Sequence, residues 1–174
     1  MRLHLHVPEY EELNYRQKIL SQPQTMSYNR GYDLNSPGYD KATGCIDFPQ
    51  SSWKDWYHSW IGHEPYCFYA YIVRNEDNAF IGEVNLHLNL SSDWYDMGIV
   101  IEEKYRGKDY ATEALKLLLQ EAFEALGAKA VHNDFESVRC AAVKTHLAAG
   151  FTKTKEENGI LELIITKDQY MRAQ

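Results

Sequence analysis

Long apolar runs are missing from this chain. No segment approaches the roughly 20 residues that a helix needs to cross a bilayer, and the opening stretch, MRLHLHVPEY, lacks the apolar core of a secretory signal. The expectation is a cytoplasmic protein with no membrane partner. Cysteine is scarce. Cys45, Cys67 and Cys140 are far apart and form no C-x-x-C pair, so neither a disulfide framework nor a zinc site is expected, and no metal ligands are assigned. Positive charge is in deficit too: 18 Lys and Arg stand against 25 Asp and Glu, a formal net charge of −7. That balance argues against nucleic acid, whose phosphates call for a basic face, and favours the approach of cationic ligands such as amines. Two phosphate-binding signatures, G-K-[ST] and G-x-G-x-x-G, are also absent.

What is present suits one soluble α/β domain spanning residues 1–174. LHLHV (Leu3 to Val7) alternates as a half-buried strand does, and Pro8 followed by Glu9, Glu11 and Glu12 reads as a helix start running to about Leu20. Residues 27–50 are rich in Tyr, Gly, Asn, Asp and Pro, an irregular stretch of a length that is usually functional. SSWKDWYHSWIG reads as a helix capped by Ser51 or Ser52. Three strands follow, YCFYAYIVRN, AFIGEVNLHLNL and WYDMGIVIEE, separated by turn residues and therefore antiparallel. After Arg106, Ala111, Ala114, Leu115, Leu118, Leu119, Ala122 and Leu126 recur at helical spacing, ending at Gly127. AKAVHNDF is a further strand, SVRCAAVKTHLAAG a helix from Ser137 to Gly150, and the end a hairpin about Asn158-Gly159. The fold class is α/β of the α+β type, with a mixed, mostly antiparallel central sheet.

One stretch carries chemistry. In GIVIEEKYRGKDYATEALKLLLQ, Gly98 to Gln120, a strand ends in charge, turns on a glycine and becomes a helix. A helix start leaves about four amides unpaired and about half a positive charge, a seat for an anion such as a diphosphate. Gly107 lets a ligand approach the backbone, Arg106 and Lys108 add charge, and Asp109 is expected to turn aside and cap the helix.

This strand, the RGKDYA turn, the apolar helix and the later Gly150-Phe151 resemble the GNAT superfamily of acetyl-CoA-dependent N-acetyltransferases, in particular its branch of ribosomal-protein N-terminal acetyltransferases. The family signature [QR]-x-x-G-x-[GA] reads Arg106-Gly107-Lys108-Asp109-Tyr110-Ala111 here, with Asp109 in place of the glycine. The resemblance covers about Phe68 to Tyr170 and implies a sheet split by a V-shaped wedge. It makes residues 66–170 the acetyl-CoA core and residues 1–65 the variable acceptor side. It places the coenzyme's diphosphate on the amides of Arg106, Gly107, Lys108, Asp109, Tyr110 and Ala111, with Thr112 nearby. The pantetheine arm would lie along Ile99, Val100 and Ile101, on a strand splayed by a bulge, and a homodimer is among the assemblies open to the family.

The same resemblance implies direct attack of an amine on the thioester, with no covalent enzyme intermediate. Asp96, two residues before Gly98, is then the first reading for a general base, and Glu83 on the neighbouring strand is its rival. A base matters for an alkyl ammonium of pKa near 10.4, which costs about 4.6 kcal/mol to deprotonate at pH 7, and far less for an α-amine, at about 1 kcal/mol. His146 stands where relatives carry a thiolate-protonating tyrosine. Arg139 either reaches a phosphate or pairs with Glu136. Loop tyrosines such as Tyr28, Tyr32 and Tyr39 are expected at the amine, while Trp53, Trp56 and Trp60 read as a packing stripe. The acceptor is a protein N-terminus or a small amine. The rival reading is a non-catalytic acyl-CoA-binding or regulatory domain, motivated by Asp109.

Overall fold

The computed structural model describes residues 1–173. In chain order its elements are β1 (Leu3–His6), α1 (Leu13–Leu20), α2 (Pro23–Met26), α3 (Gln50–Trp60), β2 (Cys67–Arg74), β3 (Ala79–Asn89), β4 (Trp94–Ile101), α4 (Tyr110–Gln120), β5 (Ala130–Glu136), α5 (Cys140–Ala149), β6 (Thr152–Glu157), β7 (Ile160–Thr166) and α6 (Lys167–Arg172). The strands form one sheet in the order β1-β2-β3-β4-β5-β7-β6. Every neighbouring pair is antiparallel except β4 and β5, which run parallel.

Side-chain alternation divides β2 between two cores. Phe68, Ala70 and Ile72 point towards α4, whose Ala114, Leu115, Leu118 and Leu119 are 0–1% exposed. Tyr69 and Tyr71 point the other way, onto Tyr15 and Ile19 of α1. A strand so loaded on both faces is an interior strand, paired by β1 and β3 and covered by helices on each side. Each buried Leu of α4 is worth about 1.5–3 kcal/mol of hydrophobic transfer. Trp53 packs with Leu13, Leu20, Met26 and Phe48 in a third cluster, so the tryptophan stripe of α3 is core.

The V opens between the parallel strands. Only Tyr95↔Val131 and Asp96↔His132 pair β4 with β5, whereas β4 stays in register with β3 as far as Gly82↔Ile101. The bulge expected in β4 is not there. A register shift lies instead between β2 and β3, beside Ile72 and Val73, and the wedge comes from the early parting of the parallel pair. At Gly98, just past the parting, an added Cβ would fall 2.5 Å from the Asn85 side chain, so the glycine admits that amide over the strand.

Four boundaries differ from expectation. α1 begins at Leu13, after a 3-10 turn over Tyr10–Glu12, rather than at Pro8. Pro49 rather than Ser51 or Ser52 is the N-cap of α3. Ser137 does not cap α5: its amide donates to Gly159 O at 2.8 Å, tying the loop to the β6–β7 hairpin, and α5 starts only after Arg139. α6, read in the sequence as strand end, is opened by a reciprocal cap between Thr166 and Gln169, the T-x-x-Q spacing that marks a helix start.

Candidate functional site

Where the strands part, the interior becomes a cavity of about 920 Å³ bordered by β3, β4, β5, α4, α5 and the segment from α1 to Ile46. A shallower depression of about 410 Å³ lies in the exposed loop around Asp33 and Tyr39, closed by the Lys41–Asp33 ion pair, and brings no comparable set of polar groups together.

The mouth of α4 forms one wall. Gly107 and Asp109 both take left-handed backbone, with φ of 73° and 60°. A Cβ at Gly107 would meet nothing within 4 Å, so the glycine serves the turn and leaves open space above it. The first main-chain bond of the helix runs from Glu113 N to Asp109 O at 3.4 Å, and the amides from Gly107 to Thr112 find no acceptor among the described residues. Gly107 and Asp109 to Thr112 face the cavity. Unpaired amides at a helix start fit the oxygens of a diphosphate, and the donor set therefore suits acetyl-CoA.

The charges on that turn are arranged differently from the expectation. Arg106 borders the cavity, but its guanidinium donates to Ile101 O (3.1 Å), Gln24 O (3.2 Å) and Thr25 O (2.5 Å), clamping α2 to the end of β4. Loss of water around it draws its pKa below the ordinary value, partly countered by Tyr28 and Glu103. Lys108 is exposed outside the cavity wall, its carbonyl accepting from Arg2 at 3.1 Å. Asp109 holds the N-cap position without a side-chain cap bond, so the predicted capping does not occur. The reason is its backbone: an N-cap side chain folds over the helix start from extended torsions, not from the left-handed region.

β4 supplies the adjoining wall through Ile99, Val100 and Ile101, whose strand has no partner on the β5 side. Across the gap, Arg139 and His146 border the cavity from α5. Arg139 is ion-paired with Glu136, and its guanidinium lies over Tyr28 (5.4 Å) and Tyr32 (5.3 Å). His146 is 3% exposed, its Nδ1 donating to Ala142 O (2.8 Å) and its Nε2 accepting from Asn133 Nδ2 (2.9 Å). Burial lowers its pKa, against the opposing pull of the Ala142 contact. An imidazole with both nitrogens committed within the protein has no free N–H to aim at a thiolate, and the geometry does not favour the donor role.

The two carboxylates weighed as bases part company. Asp96 is outside the cavity lining, at the apex of the V, accepting from Trp94 Nε1 (3.0 Å), Asn89 Nδ2 (3.0 Å) and His132 Nδ1 (2.7 Å). It shares the face of Gly98 as strand alternation requires, yet the last β4–β5 pairing turns it into a staple between the halves of the sheet. Glu83 does line the cavity, 4% exposed, bonded to Arg16 Nη1 at 2.5 Å and to the Tyr69 hydroxyl. Burial pulls Arg16 down, but attraction to Glu83 and hydrogen bonds to Glu83 and Tyr69 outweigh it and keep the guanidinium charged.

Arg16, Asn85, Asn133 and Asp134 border the cavity and were not singled out in the sequence. Alternation along IGEVN, Ile81 to Asn85, could have flagged Asn85 as facing with Glu83, but Arg16 reads only as one polar turn of a helix. Of the loop tyrosines, Tyr28 reaches the cavity, with burial first and the charge of Glu83 second pushing its hydroxyl up to about 12. Tyr39 instead donates to Asn29 O and Tyr32 O within its own loop.

Known proteins share this architecture. A spermidine N-acetyltransferase from Vibrio cholerae, solved with CoA and spermine, superposes with a TM-score of 0.76 at 17% identity over 98% of each chain. A GNAT-family acetyltransferase from Bacillus anthracis gives 0.72 at 14% identity over 97% of this chain and 96% of its own. Apo FdhC, a nucleotide-linked sugar GNAT, gives 0.72 at 20% identity over 98% and 90%. No curated protein sequence matches the chain. The acetyltransferase (GNAT) domain pattern matches residues 2–152. With the split sheet, the amide-lined helix mouth and that match together, the chain belongs to the GNAT family of acetyl-CoA-dependent acetyltransferases.

Proposed function

We propose that the protein moves the acetyl group of acetyl-CoA directly onto a primary amine, a small molecule or a peptide N-terminus, with no acetylated side chain in between. One observation carries this reading: the free amides at the mouth of α4, the partnerless edge of β4 and the buried Arg16–Glu83 pair all open into the same cavity. In it, the amides of Gly107 to Thr112 hold the diphosphate and the main chain of Ile99 to Ile101 pairs with the pantetheine arm. A β4 amide then serves as the donor that polarises the thioester carbonyl. Residues 66–170 supply this coenzyme side, and residues 1–65 shape the entry for the amine.

The thioester brings the activated acetyl group; the protein's task is orientation and proton handling. Glu83 has its carboxylate oxygens already engaged by a guanidinium and a phenol. An α-type amine, already partly neutral at pH 7, needs the least help in such a site. The spermine of the Vibrio cholerae complex belongs to that protein, and at 17% identity it supports an amine acceptor only as a class.

Cys140 gives the test a handle, being exposed, unpaired and part of the cavity wall. Saturating acetyl-CoA should slow its alkylation, read by mass spectrometry, while thiol release over an amine panel reports transfer. Unchanged alkylation removes the site. Protection without release on any amine favours the second reading, a coenzyme-binding domain, for which the Asp109 carboxylate in the diphosphate turn is the supporting observation.

A further inference from the structure

Strand register assigns side chains to the acceptor face. Asn85 pairs with Gly98 and Glu83 with Val100, and Asp96 pairs with His132, so Glu83, Asn85, Asp134 and Glu136 all project to the side of α1, opposite α4 and α5. Two of the three carboxylates among them are already spent: Glu83 on Arg16 and Tyr69, Glu136 on Arg139. Asp134 is exposed, borders the cavity across the gap from Gly98, and has no ion-pair partner among the described residues. This face therefore offers one free carboxylate for one ammonium.

Arg16 offers hydrogen-bond donors. Its guanidinium lies over Trp56 (4.6 Å), Phe48 (5.2 Å) and Tyr69 (5.3 Å) in the cavity wall. Only Nη1 bonds within the protein, to Glu83 and Tyr69, and Nε has no partner. A guanidinium has five N–H donors in a planar fork, so donors remain for an oxygen on a ligand. A guanidinium has no acceptor, so these free donors can take an oxyanion and offer nothing to a second ammonium group. Resting on the proposed amine acetylation, we propose that the acceptor is a monoamine that also carries an anionic oxygen group, its ammonium end drawn to Asp134 and its oxyanion read by Arg16, and not a polyamine. A peptide with a free N-terminus and a nearby carboxylate, or an ω-amino acid, has this chemistry. In the transfer the ammonium first gives one proton by way of Asp134 to water, the amine nitrogen bonds to the acetyl carbon, the carbon–sulfur bond breaks, and the second nitrogen proton passes through water to the departing thiolate, which leaves as the CoA thiol.

The experiment compares thiol release from acetyl-CoA with 5-aminovalerate, glycylglycine, pentylamine and spermidine, using wild type, Arg16→Gln, Arg16→Lys and Asp134→Asn. The proposal expects a carboxylate-bearing amine to exceed pentylamine at least tenfold in kcat/KM. Arg16→Gln should erase that margin through KM, and Arg16→Lys should restore part of it. Asp134→Asn should slow both acceptors with a shifted pH profile and an unchanged dissociation constant for acetyl-CoA. Spermidine as the best acceptor, or an equal loss on pentylamine and aminovalerate in Arg16→Gln, overturns it. Acetyl-CoA binding by calorimetry verifies that each variant is folded. Failure of every amine with the wild type, by contrast, counts against amine acetylation itself.

Discussion

Asp109 shows how one residue can sit against its surroundings and be tolerated. The backbone there is left-handed, φ 60°, at a position where the family signature has glycine. Asp visits that region more readily than most residues, which explains its survival, but it brings a carboxylate to a turn of anion-binding amides. Asp109→Gly should tighten acetyl-CoA binding about two- to fivefold by calorimetry, as expected for removing one exposed like charge. Stability should move by less than about 1 kcal/mol, since relief of left-handed strain is offset by the entropy of glycine. Unchanged or weaker affinity would remove the electrostatic account. Glu113, one turn on, is the opposite case. Burial raises its pKa, but bonds from the Arg2 side chain and from the amides of Arg2 and Leu3 lower it further than burial raises it. A carboxyl depressed in the folded state adds stability above its unfolded value and loses it as pH falls through the folded one. Melting curves should therefore decline as pH falls through and below the ordinary carboxylate range, and Glu113→Gln should flatten that decline while lowering stability at pH 7.

At the scale of elements, the junction of β4 and β5 matters most, because two residue pairs join the halves of the sheet. The Asp96–His132 contact, with Trp94 stacked on the imidazole at 4.6 Å, reinforces that junction from the side chains. Asp96→Ala should cost about 1–3 kcal/mol, the range for stranding partly buried hydrogen-bond donors. Its pH–rate profile should keep the wild-type shape. Loss of the acidic limb in that variant would return Asp96 to the role of base. Most of these elements were legible in the sequence: the alternation in YCFYAYIV separates Phe68 from Tyr69, and the spacing of Leu115, Leu118 and Leu119 marks the buried stripe of α4. The cap of α6 was legible too, in T-x-x-Q, but an adjoining β-branched run masked it.

For the whole molecule, ligand binding and stability are linked. Acetyl-CoA at 100 times its dissociation constant should add about 2.7 kcal/mol, provided the unfolded chain does not bind it. In a chain of this size that corresponds to a rise in Tm of roughly 5–10 °C. A scan at saturating coenzyme with no such rise would contradict a preformed site. The acceptor half of the cavity is assembled from α1, the following loop and β3, so its formation depends on packing of the Phe48 and Trp53 cluster against Leu13 and Leu20.

Local chemistry read along the chain determined the strands, the amphipathic helix and the glycine turn that leaves amides free, because each depends on neighbours within one or two turns. Tertiary structure alone decided which charges are available. It gave Arg106 to main-chain carbonyls, Asp96 to His132 and Glu83 to Arg16, and left Asp134 open. Those assignments hang on contacts between residues tens of positions apart, and a side chain's charge is worth nothing to a ligand once a distant part of the same chain has neutralised it.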